Sequence, residues 1–281
     1  MKNCAVIFTY PGDYQKAVTL TKSIKEHVDD VFFCIESKHK DVPLPTWATP
    51  LIVDFNRCTQ LHGSQAIIGI KDVFTKLINL GYDNIIKLDS DTIVFRPEQF
   101  IVPLELGSDF VYIKRYMMDK NNMHVRRANG CCYALNAKAV NAINNCSAEK
   151  FDAIMFAHDR HEDMVFSAIL SDDVEICIHE VNKAKVWMSI QPYREIDCIA
   201  AHFGYCDMQR IKEELEQIIP EQVSNYFNSE TNNYVKKVIE YCKEHDIPLK
   251  VYKNTYDRDG KPLNSETKND ESKNGEIKTQ Q

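Results

Sequence analysis

The sequence lacks any run approaching the 18 or so apolar residues that cross a bilayer as a helix. No two of its ten cysteines stand at CxxC spacing, and no zinc site is written in it. It has no basic excess: 34 Lys and Arg against 41 Asp and Glu leave a net charge of −7, which argues against a general nucleic-acid binder. It has no internal repeat. The opening "MKNCAVIFTYPGDY" holds one Lys and a short apolar run broken by Pro11 and Gly12, without a small-residue cleavage pattern. No secretory leader is read there, and the expected compartment is the cytoplasm. Several cysteines sit in apolar runs ("FFC", "EICI", "DCIAA"), so buried reduced thiols are expected instead of a disulfide framework.

What is present is a chain of 281 residues, 44% hydrophobic and 27% charged, enough for a large core in a soluble globular protein. "CAVIFTY" (4–10), "VFFCI" (31–35), "TPLIVDF" (49–55) and "NIIKLD" (84–89) read as strands. Between them, "DYQKAVTLTKSIKEHV" (13–28) carries Ala17, Leu20, Ile24 and Val28 on one helical stripe, with Asp13 placed to cap it. "SQAIIGIKDVFTKLINLG" (64–81) is a second helix, stopped by Gly81. Strands that are apolar nearly throughout, alternating with helices, predict an α/β fold: a Rossmann-like, mixed but mostly parallel central sheet with helices on both faces. Later strands are read at 108–114, 130–135, 174–180 and 197–203, and helices at 137–143 and 161–170. Residues 1–206 are expected to form the main domain. Residues 207–256, with "MQRIKEELEQII" and "NNYVKKVIEYCKEH", form a helical extension packed on it. Residues 257–281, with few strongly apolar residues, are expected to be a disordered tail.

In "NIIKLDSDTIVFRP" (84–97) an apolar strand runs straight into Asp89 and Asp91. Two carboxylates one residue apart repel each other, and an unpaired one would have its pKa pushed up. At the carboxyl end of a strand in a parallel sheet, where ligands bind, they suit a divalent cation. Oxygen ligands favour Mg²⁺ or Mn²⁺, and a His as third ligand tilts the choice to Mn²⁺. A polar turn is the plainer reading of the same three letters.

The block "GIKDVFTKLINLGYDNIIKLDSDTIVFRPEQF" (69–100) resembles the Asp-X-Asp region of GT-A-fold glycosyltransferases that use nucleotide sugars, in particular glycogenin-like ones. "IFTYPGDYQKAVTLTKSI" is similar to that family's first strand and its sequel. "ANGCCYALNAKAV" (128–140) resembles its element near the sugar, and "AAHFGYCD" (200–207) its late metal-binding His element. The resemblance implies a GT-A-like fold in which Thr9, Tyr10 and Tyr14 line the base and ribose, and Asp54 meets the nucleoside. Lys71 would reach the sugar or phosphates, and Ser90, Asn129 and Gly130 would border the donor. Asp89 would touch ribose or metal, and Asp91 and His202 would hold the metal. It further implies a UDP-sugar donor and transfer to a hydroxyl of a glycan, a lipid-linked glycan or a protein.

"DRHEDMVFSAIL" crowds acids ahead of an apolar helix. Acids there complement the helix dipole, which is a structural role. The functional reading makes Asp163 the general base that deprotonates the acceptor hydroxyl, with Glu162 the competing residue. The glycogenin-like retaining enzymes carry Asp-Gln where this chain has Asp163-Met164, and their late His element continues into Lys-Pro-Trp where this chain has Cys-Asp-Met-Gln-Arg. The acidic pair instead resembles inverting, fringe-like enzymes. A retaining transferase, an Asp-X-Asp phosphohydrolase and a silent sugar-nucleotide-binding module stand as alternatives. The C-terminal helices would pack on the core, or offer a face to a second subunit or a membrane surface.

Overall fold

The computed structural model describes residues 1–9, 11–54, 64–118, 124–158, 161–182, 186–188, 198–204, 206–257 and 261–263, with backbone alone for 115–118 and 124–127. Four parallel strands come first: β1 (Asn3–Phe8), β2 (Asp30–Glu36), β3 (Thr49–Val53) and β4 (Asn84–Asp89). They are followed in the chain by β5 (Thr92–Val94), β6 (Phe110–Met118), β7 (His124–Asn136) and β8 (Ile178–Val181), then β9 (Val186–Met188) and β10 (Ala200–His202). The main sheet has seven strands in the order β3-β2-β1-β4-β7-β6-β8. Within it β7 alone is antiparallel to its neighbours, and β6 and β8 pair in parallel.

The helices are α1 (Tyr14–Leu20), α2 (Ser64–Asn79), α3 (Glu98–Glu105), α4 (Ala137–Asn145), α5 (Ala148–Ala157), α6 (Glu162–Ser171), α7 (Met208–Ile218), α8 (Val223–Tyr226) and α9 (Ser229–Glu244). Strand periodicity distributes the core. Along β1, Cys4, Val6 and Phe8 enter one cluster with Phe74 of α2, Val140 of α4, Phe151 of α5 and Phe166 of α6. Ala5 and Ile7 enter the other, with Tyr14 of α1, Phe100 of α3 and Tyr241 of α9. Both faces of the sheet are therefore covered, which is why β1 and β4 read as almost unbroken apolar runs. Each fully buried Phe or Ile here contributes roughly 1.5–3 kcal/mol.

From β1 the chain winds outward to β2 and β3, then returns to the other side of β1 as β4. The carboxyl ends of β1 and β4 meet, with Phe8 in register with Asp89. This is a topological switch point, the place where open α/β sheets hold ligands. A small second sheet, β5-β10-β9, closes over it, with His202 of β10 in register with Thr92 of β5. It has its own core: Ile93, Trp187, Ala201 and Phe203 pack with Ile211 and Leu215 of α7.

The expected mixed α/β sheet is present, with local differences. The helix expected over 13–28 is α-helical only to Leu20 and continues as a 3₁₀ stretch, Thr21–His27. There Thr21 Oγ1 donates to Ala17 O and Ser23 Oγ to Leu20 O, local bonds that compete with the α-helical pattern. Asp13 makes no capping bond. The strand expected from 174 begins at Ile178. Helices α3 and α5 and strands β5 and β9 were not expected; Pro103 inside α3 masks its helical pattern. The C-terminal helices join the two cores, α9 through Val238, Tyr241 and Cys242 and α7 through Ile211 and Leu215. Of the expected tail, 258–260 and 264–281 lie outside the described residues, and Tyr256 forms a bridge with Pro262. Every cysteine among the described residues is free. Among the described residues no helix is long and apolar enough to cross a membrane.

Candidate metal centre

Asp89 closes β4, Asp91 follows in the turn to β5, and His202 ends β10. Each offers one ligand atom, and these atoms lie within 4.8 Å of one another. Register, not chance proximity, brings His202 here: Phe203 N donates to Asp91 O at 2.8 Å, clamping the end of β10 to the turn. His202 Nε2 stands 3.2 Å from Asp91 Oδ1, while its Nδ1 is buried without a hydrogen-bond partner. Burial works against a charged imidazole, yet the Asp91 carboxylate outweighs it and raises the His202 pKa above 6.5. Burial would likewise raise Asp91, but His202 and then Lys16 hold it well below the usual carboxylate range. Gly204 completes the wall. A Cβ there would come within 2.7 Å of His202 Cε1 and 3.4 Å of Asp91 Oδ2, so the backbone can pass this close only as glycine. Two carboxylates and an imidazole with a spare buried nitrogen form a donor set that could hold a metal ion.

A buried cation organises the other side of the cluster. Lys87, fully buried on β4, donates to Asp89 Oδ1 at 2.6 Å and to the carbonyl of Gly130, and stands 3.1 Å from Glu162 Oε1. It thus joins β4, β7 and the first turn of α6. Glu162 is consumed in this pair. Asp163 lies against β7: its Oδ2 lies 3.0 Å from where a Cβ of Gly130 would be, and Met164 N donates to its Oδ1 at 2.9 Å. Gly130 therefore gives Asp163 its room against β7. Asn129, buried beside it, accepts from Cys131 N at 3.2 Å. Burial, and then the Asp89 carboxylate, push the Cys131 thiol up, which leaves it unsuited to act as a nucleophile.

Ser90 apart, the third side is built from residues that the sequence reading did not place here. Ser90 Oγ donates to Asp13 Oδ2 at 2.6 Å, so the middle residue of the Asp-X-Asp turn is tied to the start of α1. Burial pushes Asp13 up to about 6. Its other oxygen, Oδ1, has no hydrogen-bond partner and stands 3.7 Å from Lys250 Nζ. Lys16, also buried, donates from Nζ to Phe203 O at 2.6 Å and lies 3.7 Å from the centre of the Tyr252 ring. Burial lowers its pKa to about 8. After α9 the chain returns as a strap over 247–257. Lys250 N donates to Gly12 O at 2.9 Å, Asn254 exchanges two 2.9 Å bonds with Asp207, and Arg210 donates to the carbonyls of Tyr256 and Asp257.

The remaining expected residues divide. Thr9 is buried at the end of β1 beside the switch point. Tyr14 belongs to the core: it is 1% exposed and packs edge-on against Phe33, because it shares the sheet-facing side of α1 with Ala17 and Val18. Lys71 lies 5.5 Å from the centre of the Phe151 ring, on the side of α2 that meets α5, and is not brought to the carboxylate cluster by any contact described. Asp54 is exposed at the end of β3, lining a groove with Ile68 and Lys76 of α2. Tyr10 lies outside the described residues. Lys87 was missed because only its run of strand residues was read. Its one local signal is a Lys set inside an apolar strand two residues before an Asp. No protein-family model matches this chain, and neither does any curated protein.

Proposed function

We propose that this protein is a metal-dependent glycosyltransferase, moving a sugar from a nucleoside diphosphate donor, UDP by resemblance, to an acceptor hydroxyl. The observation that carries the reading is the convergence of Asp89, Asp91 and His202 at the switch point, with Asp163 against the neighbouring strand. A Mn²⁺ or Mg²⁺ held by these three ligands would offset the charge that develops on a departing diphosphate. Asp163 is the base in this reading. Its carboxylate takes the acceptor hydroxyl's proton as that oxygen bonds to the anomeric carbon, and the bond from that carbon to the diphosphate breaks with inversion. The pairing of Glu162 with Lys87 favours Asp163 over Glu162 for this role. The glycan, lipid-linked glycan or protein nature of the acceptor follows from the resemblance alone.

The test is binding and turnover of a panel of nucleoside diphosphate sugars, with and without Mn²⁺, for wild type and Asp91→Ala. One donor should bind only with metal and hydrolyse slowly, and Asp91→Ala should lose both. Metal-independent behaviour across the panel, with no donor bound, would sink the reading and favour the phosphohydrolase or the silent binding module.

A further inference from the structure

Among the described residues, three lysines stand around the carboxylate cluster, and two are already spoken for. Lys87 is enclosed by Asp89, Glu162 and the Gly130 carbonyl. Lys16 is fully buried between the Phe203 carbonyl and the Tyr252 ring. Lys250 differs. Its side chain is 43% exposed, and its ammonium stands 3.7 Å from Asp13 Oδ1, a Coulombic pairing beyond hydrogen-bond reach. Its backbone is nevertheless fixed, through Gly12 O, at the start of α1. The Asp13 oxygen it faces is buried and has no hydrogen-bond partner, while the other Asp13 oxygen is bonded to Ser90, between the two metal-ligand aspartates. Lys250 thus carries a partly hydrated charge, on an anchored strap, at the rim of the metal centre.

We propose that Lys250 is the diphosphate-binding cation of this site, supplied by the C-terminal strap. The inference rests on the diphosphate donor proposed above. A divalent ion matches the charge of Asp89 and Asp91, which leaves a bound diphosphate's own negative charge to be met by another cation. Among the described residues Lys250 is placed to meet it, because its pairing with Asp13 is loose and an ammonium on a flexible stem binds phosphate as a mobile point charge. On binding, its ammonium exchanges a long contact to a carboxylate for hydrogen bonds to phosphate oxygens. Lys16 stays in place beneath the Tyr252 ring.

Calorimetry with Mn²⁺ alone, then Mn²⁺ with inorganic pyrophosphate and with UDP, tests this on wild type, Lys250→Gln and Lys253→Gln. Lys253 is exposed on the same strap and serves as the control. Lys250→Gln should weaken pyrophosphate and UDP by about tenfold or more, the scale of a lost hydrogen bond to a charged group. It should leave Mn²⁺ affinity unchanged, and Lys253→Gln should match wild type throughout. Equal diphosphate affinity in Lys250→Gln and wild type would overturn the inference and leave the donor reading standing. An equal loss in Lys253→Gln, or a loss of Mn²⁺ itself in Lys250→Gln, would also overturn it. A wild type that takes Mn²⁺ but neither diphosphate overturns both.

Discussion

Lys87 Nζ and Glu162 Oε1 lie 3.1 Å apart in the interior, joining the strand that bears Asp89 to the first turn of the helix that bears Asp163. Lys87→Met leaves Glu162 and Asp89 without their buried counter-charge. Breaking a buried pair on one side costs about 3–5 kcal/mol. The expected result is a loss of this size in urea unfolding, and Lys87→Met with Glu162→Leu together should recover part of it. A single variant as stable as wild type would show that the pair is not a structural tie.

The two adjacent acids of α6 should separate by phenotype. Asp163→Asn should lower turnover by about 10²–10⁴-fold, the range of a lost general base, while Mn²⁺-dependent donor binding stays near wild type. Glu162→Gln should lower the unfolding midpoint and change turnover far less, since its carboxylate is held by Lys87. Steady-state kinetics alongside thermal unfolding distinguishes them, and reversed phenotypes would exchange their roles.

Gly204→Ala drives a Cβ to 2.7 Å from His202 Cε1. The ring must shift from its place beside Asp91 to admit it. Disturbing what orients a metal ligand typically costs roughly 10–100-fold in affinity. Titration of Mn²⁺, followed by the electron paramagnetic resonance of the free ion, should show a loss in that range. Unchanged binding would mean His202 does not ligate through this geometry.

Asp13 gives a pH signature. Its folded pKa is raised from 3.8 to about 6, mainly by burial. The folded protein thus holds this proton more tightly than the unfolded chain does. The carboxyl's contribution to stability is full below 3.8 and is lost as pH rises through about 6. Asp13→Asn stays neutral and escapes the loss. The variant should be more stable than wild type at pH 7–8, by a margin that shrinks toward pH 4. Denaturant unfolding at the two pH values checks it, and a margin independent of pH would contradict the assignment.

The parallel half of the fold was legible because β1 and β4 are buried on both faces, leaving almost unbroken apolar runs that, alternating with helices, suit an α/β architecture. Asp89 and Asp91 were legible for the complementary reason, as charges where such a run ends. His202 was placed by resemblance, not by anything in its own surroundings. Asp13 was misread as a helix cap because the residue before a helix usually bonds locally; here a partner from the next crossover, Ser90, won that carboxylate. Lys16 and Lys250 were invisible for a similar reason. Their partners, Phe203 and Asp13, lie at the opposite end of the chain, and no local pattern encodes such a meeting. Tyr14 looked like a base-stacking ring and proved to be packing, since aromatic character alone does not say which side of α1 faces the sheet.

The order in which a ribosome delivers this chain bears on the wiring of the site. Asp89 and Asp91 emerge early with the parallel strands, whereas His202 must wait until β6, β7 and α4 to α6 have been made, and Lys250 later still. Between residues 91 and 202 a nascent chain therefore carries the two acids without the imidazole that completes the cluster. The small sheet carrying His202 arrives as a closing piece, so the full set of three candidate ligand atoms exists only once β10 has joined β5.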